Sequence, residues 1–254
     1  MHDFIPKEDL EKIYTSFKGA VHFRGTTILI TGACGFLGKA LIAYFQYENK
    51  KTLEGFPDPE KTLIKIIAVD NFIIDSSVSE FFENDPNITI VKHDITESFD
   101  HALRHVDKID YIFNCAGIAS PSVYKRYPLE TMEVSYTGTK NVLELALKHK
   151  AKVLNFSSSE VYATPPDSLI PTPETYIGNC PTMDVRSCYD IGKMSLETLS
   201  HIYSTKYSVN CVVVRPFNAY SYVDKHDTRV LPNFIKAVLE NKPLKVYGKD
   251  NNTR

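Results

Sequence analysis

The run Ile28-Leu29-Ile30-Thr31-Gly32-Ala33-Cys34-Gly35-Phe36-Leu37-Gly38 limits the possible folds of this chain more than any other stretch. The residues from Thr27 to Ile30 read as a short buried strand, and the apolar spacing Leu37, Ala40, Leu41, Tyr44, Phe45 reads as a helix. Between them glycine recurs at 32, 35 and 38. Gly32 permits a tight turn, Gly35 lets the backbone approach a pyrophosphate, and Gly38 lets the helix pack closely on the strand. The helix then turns its unpaired N–H groups and positive end toward the phosphates. Three glycines also fit an ordinary tight turn; the strand before and the helix after point to a dinucleotide site.

Downstream, strand and helix patterns alternate. Residues 1–25 carry Leu10, Ile13, Tyr14 and Phe17 at helical spacing, a leading helical extension. Tyr47 to Lys61 is polar and broken by glycine and two prolines, which predicts a loop feeding a second strand, Leu63 to Val69, that ends at Asp70. A carboxylate there accepts hydrogen bonds from the adenosine ribose and repels an extra phosphate, favouring NAD over NADP. Asp70 lies 32 residues after Gly38, beyond the spacing of roughly 20 usual for this fingerprint, and the 47–61 insertion accounts for the excess. Asp94, after a third strand at 87–91, is placed to meet the adenine amino group. Strands follow at 110–116, 152–156 and 209–214, with helices at 131–148, 189–203 and 231–239. Such βα repetition predicts an α/β fold, a doubly wound parallel Rossmann sheet covered on both faces. The proline-rich stretch Thr164 to Pro181 is the one long irregular segment, of the kind that carries substrate contacts.

The 254 residues, 43% hydrophobic and 24% charged, suffice for one large core. A net charge of −2 leaves no basic footprint for nucleic acid or an anionic membrane. The five cysteines are scattered without a CxxC pair, so they read as reduced core thiols, and no metal-ligand cluster stands out. With no apolar run of about 18 residues, the expectation is a cytoplasmic protein.

Tyr189 and Lys193, four residues apart, share one helix face. A neighbouring ammonium favours the phenolate and brings the phenol toward acid–base range. Incidental helical pairs of this kind are common, but this one follows Ser157-Ser158-Ser159-Glu160 at a strand's carboxyl end, where open α/β sheets bind ligands. The serines alone also fit a capping cluster.

Together these motifs resemble the extended short-chain dehydrogenase/reductase family of nucleotide-sugar enzymes. The carrying residues are Thr31 to Gly38, Val69-Asp70-Asn71, Ser157 to Tyr162, Tyr189 to Lys193, and Arg215-Pro216-Phe217-Asn218. Within it, Ile118 to Pro128, Arg186-Ser187-Cys188-Tyr189 and Tyr247 to Arg254 are most similar to the UDP-glucuronate decarboxylases. A 4,6-dehydratase would carry an aspartate at 159, and a UDP-galactose 4-epimerase would typically lack the glutamate at 160.

The resemblance implies decarboxylation of UDP-glucuronate through a 4-keto intermediate, with Tyr189, Lys193, Ser158 and Glu160 catalytic. It implies NAD binding by Gly32, Gly35, Phe36, Leu37, Gly38, Asp70, Asn71, Asp94, Ile95 and Ala116, with Tyr189, Lys193 and Pro216 at the nicotinamide end. Substrate contacts fall to Pro121, Tyr124, Arg186, Asn218, Arg229 and Arg254, and a homodimer to helices near 127–149 and 186–206. A nucleotide-sugar epimerase and a non-catalytic NAD binder stay open as alternatives. The expected organisation is an extension at 1–25, an NAD-binding domain at 26–216, and at 217–254 the start of a sugar-nucleotide lobe that looks truncated. Departures from the family are Ala219-Tyr220 where Gly-Pro is usual, and Ser135 in place of asparagine.

Overall fold

The computed structural model describes residues 5–16, 23–55, 62–73, 82, 84–220 and 230–246. Six parallel strands lie in the order β3-β2-β1-β4-β5-β6: β1 Thr27–Thr31, β2 Lys65–Asp70, β3 Ile88–Lys92, β4 Tyr111–Asn114, β5 Lys152–Phe156 and β6 Cys211–Val214. The helices are α1 Lys7–Ser16, α2 Phe36–Gly55, α3 Phe99–Ala102, α4 Pro121–Arg126, α5 Pro128–Glu133, α6 Thr139–His149, α7 Ser187–Tyr207 and α8 Val230–Leu239. A π-turn, Val134–Gly138, joins α5 to α6. The strand order reverses between β1 and β4, which opens a crevice at their carboxyl ends.

Period-two burial explains the two layers. Ile28 and Ile30 of β1, with Ile66 and Ala68 of β2, face α2 and Leu10 of α1. Leu29, Ile67 and Val69 face Val142, Leu143 and Leu145 of α6 and Leu199 of α7. Strands buried on both faces read as continuous apolar runs, the signature of a covered parallel sheet.

The expected loop at 47–61 is corrected in its first half: α2 continues to Gly55. The polar residues that looked loop-like are committed inside the fold. The Asn49 side chain donates to the Ile64 carbonyl at 2.9 Å and accepts from its N–H at 2.8 Å, and Thr52 bonds back to the Glu48 carbonyl. Residues 56–61 lie outside the described residues, as do Arg229 and Arg254.

A buried polar ladder crosses the sheet in register, Thr31 opposite Asn114 and Asn114 opposite Asn155. Thr31 Oγ1 donates to Asn114 Oδ1 at 2.7 Å, Asn114 Nδ2 to Asn155 Oδ1 at 2.8 Å, and Asn155 Nδ2 to Ser200 Oγ of α7 at 2.8 Å. Replacing Asn155 with leucine strips partners from Asn114 and Ser200 at once. The expected loss is about 2–3 kcal/mol, a fall in Tm of roughly 5–10 °C for a chain of this size; thermal unfolding with no shift would contradict this role.

Candidate active site

The crevice is a cleft of about 440 Å³ at the ends of β1 to β4. Its floor is the glycine turn. Gly32 has φ +60°, and a Cβ there would sit 2.8 Å from the Ala116 backbone; one on Gly38 would sit 2.3 Å from the Gly32 carbonyl oxygen. Both positions therefore exclude side chains, and the turn stays close enough to α2 for its first N–H groups to face the cleft. Gly32, Gly35, Phe36, Leu37, Asp70, Asn71, Asp94, Ile95 and Ala116 all line the cleft. Gly38 lies behind the turn. A long, largely apolar cleft with a side-chain-free turn at its floor and a carboxylate at the end of β2 fits a dinucleotide.

Two acids are fixed by their own loops. Asp70 accepts from the N–H groups of Cys34 and Phe72, each at 2.9 Å, while burial pushes its carboxyl above the usual range. Asp94 accepts from Thr96 N and Oγ1 and from Asn71 Nδ2. Burial pushes Asp94 upward too, but those bonds outweigh it and hold the carboxyl below its usual range.

The second half of the site stands at the end of β5. Lys193 is buried on α7 and donates to the Phe156 carbonyl at 2.6 Å. Burial disfavours its charge and lowers its pKa to about 8. Its ammonium lies 5.8 Å from the Tyr189 ring centroid, confirming that the two share a helix face. A Cβ on Gly117 would be 3.4 Å from Lys193 Nζ, so the ammonium also reaches the cleft wall beside Ala116. Ser158 caps the short turn Ser159–Tyr162 by accepting from Glu160 N at 3.2 Å, which leaves its O–H to donate.

Around Tyr189 the structure gathers residues that the sequence named one by one. Tyr124 of α4 stacks on Tyr189, centroids 5.4 Å apart and rings inclined by 11°. Arg186 Nη2 donates to Glu160 Oε2 at 2.8 Å. Burial raises the Tyr124 phenol, and Arg186, Asp190 and Glu160 are its charged neighbours. Pro121 starts α4. Pro216 accepts from Ser159 N at 3.0 Å and braces the serine turn instead of lining the cleft. Asn218 is exposed and is not drawn into this cluster.

Sequence reasoning missed three features. It placed Glu160 and Arg186 separately, although they pair. It did not foresee the Phe156 carbonyl, because a main-chain acceptor leaves no side-chain signal. It also passed over Glu197, which holds Ser157 Oγ at 2.6 Å and grips Arg215 through two bonds of 2.8 and 2.7 Å. Arg215 extends to Tyr162 OH and to the Glu174 carbonyl, tying the serine turn to the irregular segment. Glu197 lies one helical turn past Lys193 on α7, a spacing that could have flagged it.

Residues 28–254 match the NAD dependent epimerase/dehydratase family. The chain is 34% identical over 236 residues to UDP-glucuronic acid decarboxylase 2 of Arabidopsis thaliana, covering 91% of this chain and 47% of that protein. It is 33% identical over 229 residues to UDP-glucuronic acid decarboxylase 1 of Danio rerio, covering 89% and 50%. It thus spans about half the length of these relatives. Among solved structures, UDP-glucuronic acid 4-epimerase of Bacillus cereus, in complex with UDP-glucuronic acid and NAD, superposes with TM-score 0.67 at 23% identity over 87% of this chain and 66% of that one. dTDP-glucose 4,6-dehydratase of Bacillus anthracis, in complex with NAD, gives 0.65 at 24% over 88% and 64%. These two structures agree with the fold described above.

Because folding holds Lys193 below its unfolded pKa of about 10.4, the folded chain binds fewer protons than the unfolded one between pH 8 and 10.5. Its contribution to stability rises with pH across that window. Thermal unfolding from pH 7 to 10 should show a Lys193→Met variant gaining on wild type at pH 7 and losing that gain toward pH 10. A wild-type to variant difference that does not change with pH would contradict the buried, proton-poor ammonium.

Proposed function

The chain belongs to the NAD dependent epimerase/dehydratase family, and from that premise we propose that it decarboxylates a nucleotide-linked glucuronate, UDP-glucuronate, through a 4-keto intermediate. The observation that carries this reading is the convergence of Tyr124, Glu160 and Arg186 on the Tyr189–Lys193 pair at the end of β5. An arginine beside the acid–base tyrosine suits a sugar that bears a carboxylate. The identity to UDP-glucuronic acid decarboxylases over most of this chain supports the same substrate.

NAD, held by the glycine turn and Asp70, supplies oxidising power at carbon 4 of the sugar. Tyr189 takes the carbon-4 hydroxyl proton, helped by the Lys193 ammonium, which favours the phenolate. Ser158 donates its free O–H to the same oxygen. Once carbon 4 is a ketone, the carboxyl at carbon 5 is β to it, and carbon dioxide can leave with its electrons passing into an enolate. Tyr189 and Ser158 stabilise that enolate oxygen. Arg186 orients the carboxylate, and Glu160 keeps Arg186 in place.

The same reading includes a homodimer. Helix α7 packs on both α5 and α6, and Leu129, Met132, Ile202 and Tyr207 on these helices, with Tyr136 on the π-turn, stay exposed. It also places the protein in the cytoplasm, supported by five free thiols. Among the described residues no helix is long and apolar enough to cross a membrane.

Tyr189→Phe is expected to bind NAD⁺ as wild type does in a calorimetric titration. Its turnover of UDP-glucuronate should fall by roughly 10²–10⁴, the range for a positioned acid–base group. Unchanged turnover would remove Tyr189 from this role. Wild-type conversion to a 4-epimer without loss of mass would favour an epimerase, and NAD⁺ binding with no reaction would favour a non-catalytic binder.

A further inference from the structure

Four carboxylates line the cleft. Glu130 and Glu133 of α5 are three residues apart, hence on one helix face, and both line the cleft with Asp70 and Asp94. Among the described residues the ammonium groups at that cleft are Lys39, which is buried on α2, and Lys193, which reaches the wall beside Ala116. The four carboxylates are not alike. Asp70 and Asp94 are occupied by N–H and O–H donors of their own loops. Glu130 and Glu133 are exposed, and neither joins an ion pair among the described residues.

We propose that Glu130 and Glu133 make the cleft discriminate between redox states of its dinucleotide, keeping the oxidised form in preference to the reduced one. This rests on reading the cleft as the NAD site. Both forms carry the same pyrophosphate charge, but the oxidised nicotinamide ring is a cation and the reduced ring is neutral. The reduced dinucleotide is therefore one unit more negative. Two uncompensated carboxylates on the rim repel the pyrophosphate of both forms, and only the oxidised form offsets this with its ring. The screening length is about 10 Å at 0.1 M salt and about 30 Å at 0.01 M, so at low salt the rim acts along the whole cofactor. Glu130 stands in the first turn of α5, where a carboxylate also favours the helix. Glu133 closes that helix and has no such second use, so it is the cleaner probe.

The test is binding, not turnover. Affinities of the intact chain for NAD⁺ and NADH are measured by calorimetry and NADH fluorescence, at about 10 mM and about 500 mM salt, spanning weak and strong screening. Wild type is compared with Glu133→Gln, with Glu130→Gln/Glu133→Gln and with Glu133→Lys, and thermal unfolding confirms that each variant folds. At low salt the double variant should bind NADH about fivefold tighter and NAD⁺ about twofold tighter, the scale expected of two exposed charges. Glu133→Lys should shift the ratio of the two affinities in the same direction, and high salt should erase the differences. Equal shifts for both forms, or none, with NAD⁺ still bound by wild type, would overturn the proposal. Failure of wild type to bind either form would overturn the reading of the cleft itself.

Discussion

The site depends on a row of hydrogen bonds that the sheet keeps from water. Thr31, Asn114 and Asn155 stand opposite one another on β1, β4 and β5, and Ser200 takes the last bond into α7. Ala116 N donates to Thr31 Oγ1, so the row also reaches the cleft wall. Buried amides make an error in strand register costly, because each would lose its partner. The consequence is geometric. The glycine turn follows β1, the cleft wall follows β4, the serine turn follows β5 and the Tyr189–Lys193 pair rides on α7, so one network sets the spacing of all four.

Within that frame the proposed reaction assigns the chemical tuning to the buried ammonium of Lys193. Its hydrogen bond to the Phe156 carbonyl is short, and burial opposes its charge. An ammonium that gives up its proton easily, beside a phenol, is suited to the acid–base role proposed for this pair. The bond between Glu160 and Arg186 holds a cation next to the stacked Tyr124 and Tyr189 rings, which the proposed reaction uses to orient the sugar's carboxylate. Half-exposed ion pairs add little stability; the value of this one is orientation.

Legibility followed periodicity. The strand at Lys152 to Phe156 and the helix ending at Leu239 were readable because apolar spacing declares them. The glycine turn was readable because only glycine fits at 32 and 38. Asn49 and Thr52 were misleading because a polar residue in a helix looks like a loop until its partner is known, and that partner, for Asn49, is the distant Ile64. The Glu160–Arg186 pair and the Phe156 carbonyl were illegible for a related reason: they join segments far apart in sequence, or use main chain that every residue has. What the motif at 189–193 declared was a shared helix face, and the ring-to-ammonium distance bears that out.

The proposed reaction removes the carboxyl group of a nucleotide-linked glucuronate. The most direct measurement is to incubate the chain with NAD⁺ and UDP-glucuronate carrying ¹³C in the carboxyl group and to follow the label by NMR. Appearance of the label as carbon dioxide and bicarbonate, with a matching loss of the carboxyl resonance from the sugar nucleotide, is the expected result. Label that stays in the sugar nucleotide while NAD⁺ is demonstrably bound would contradict it.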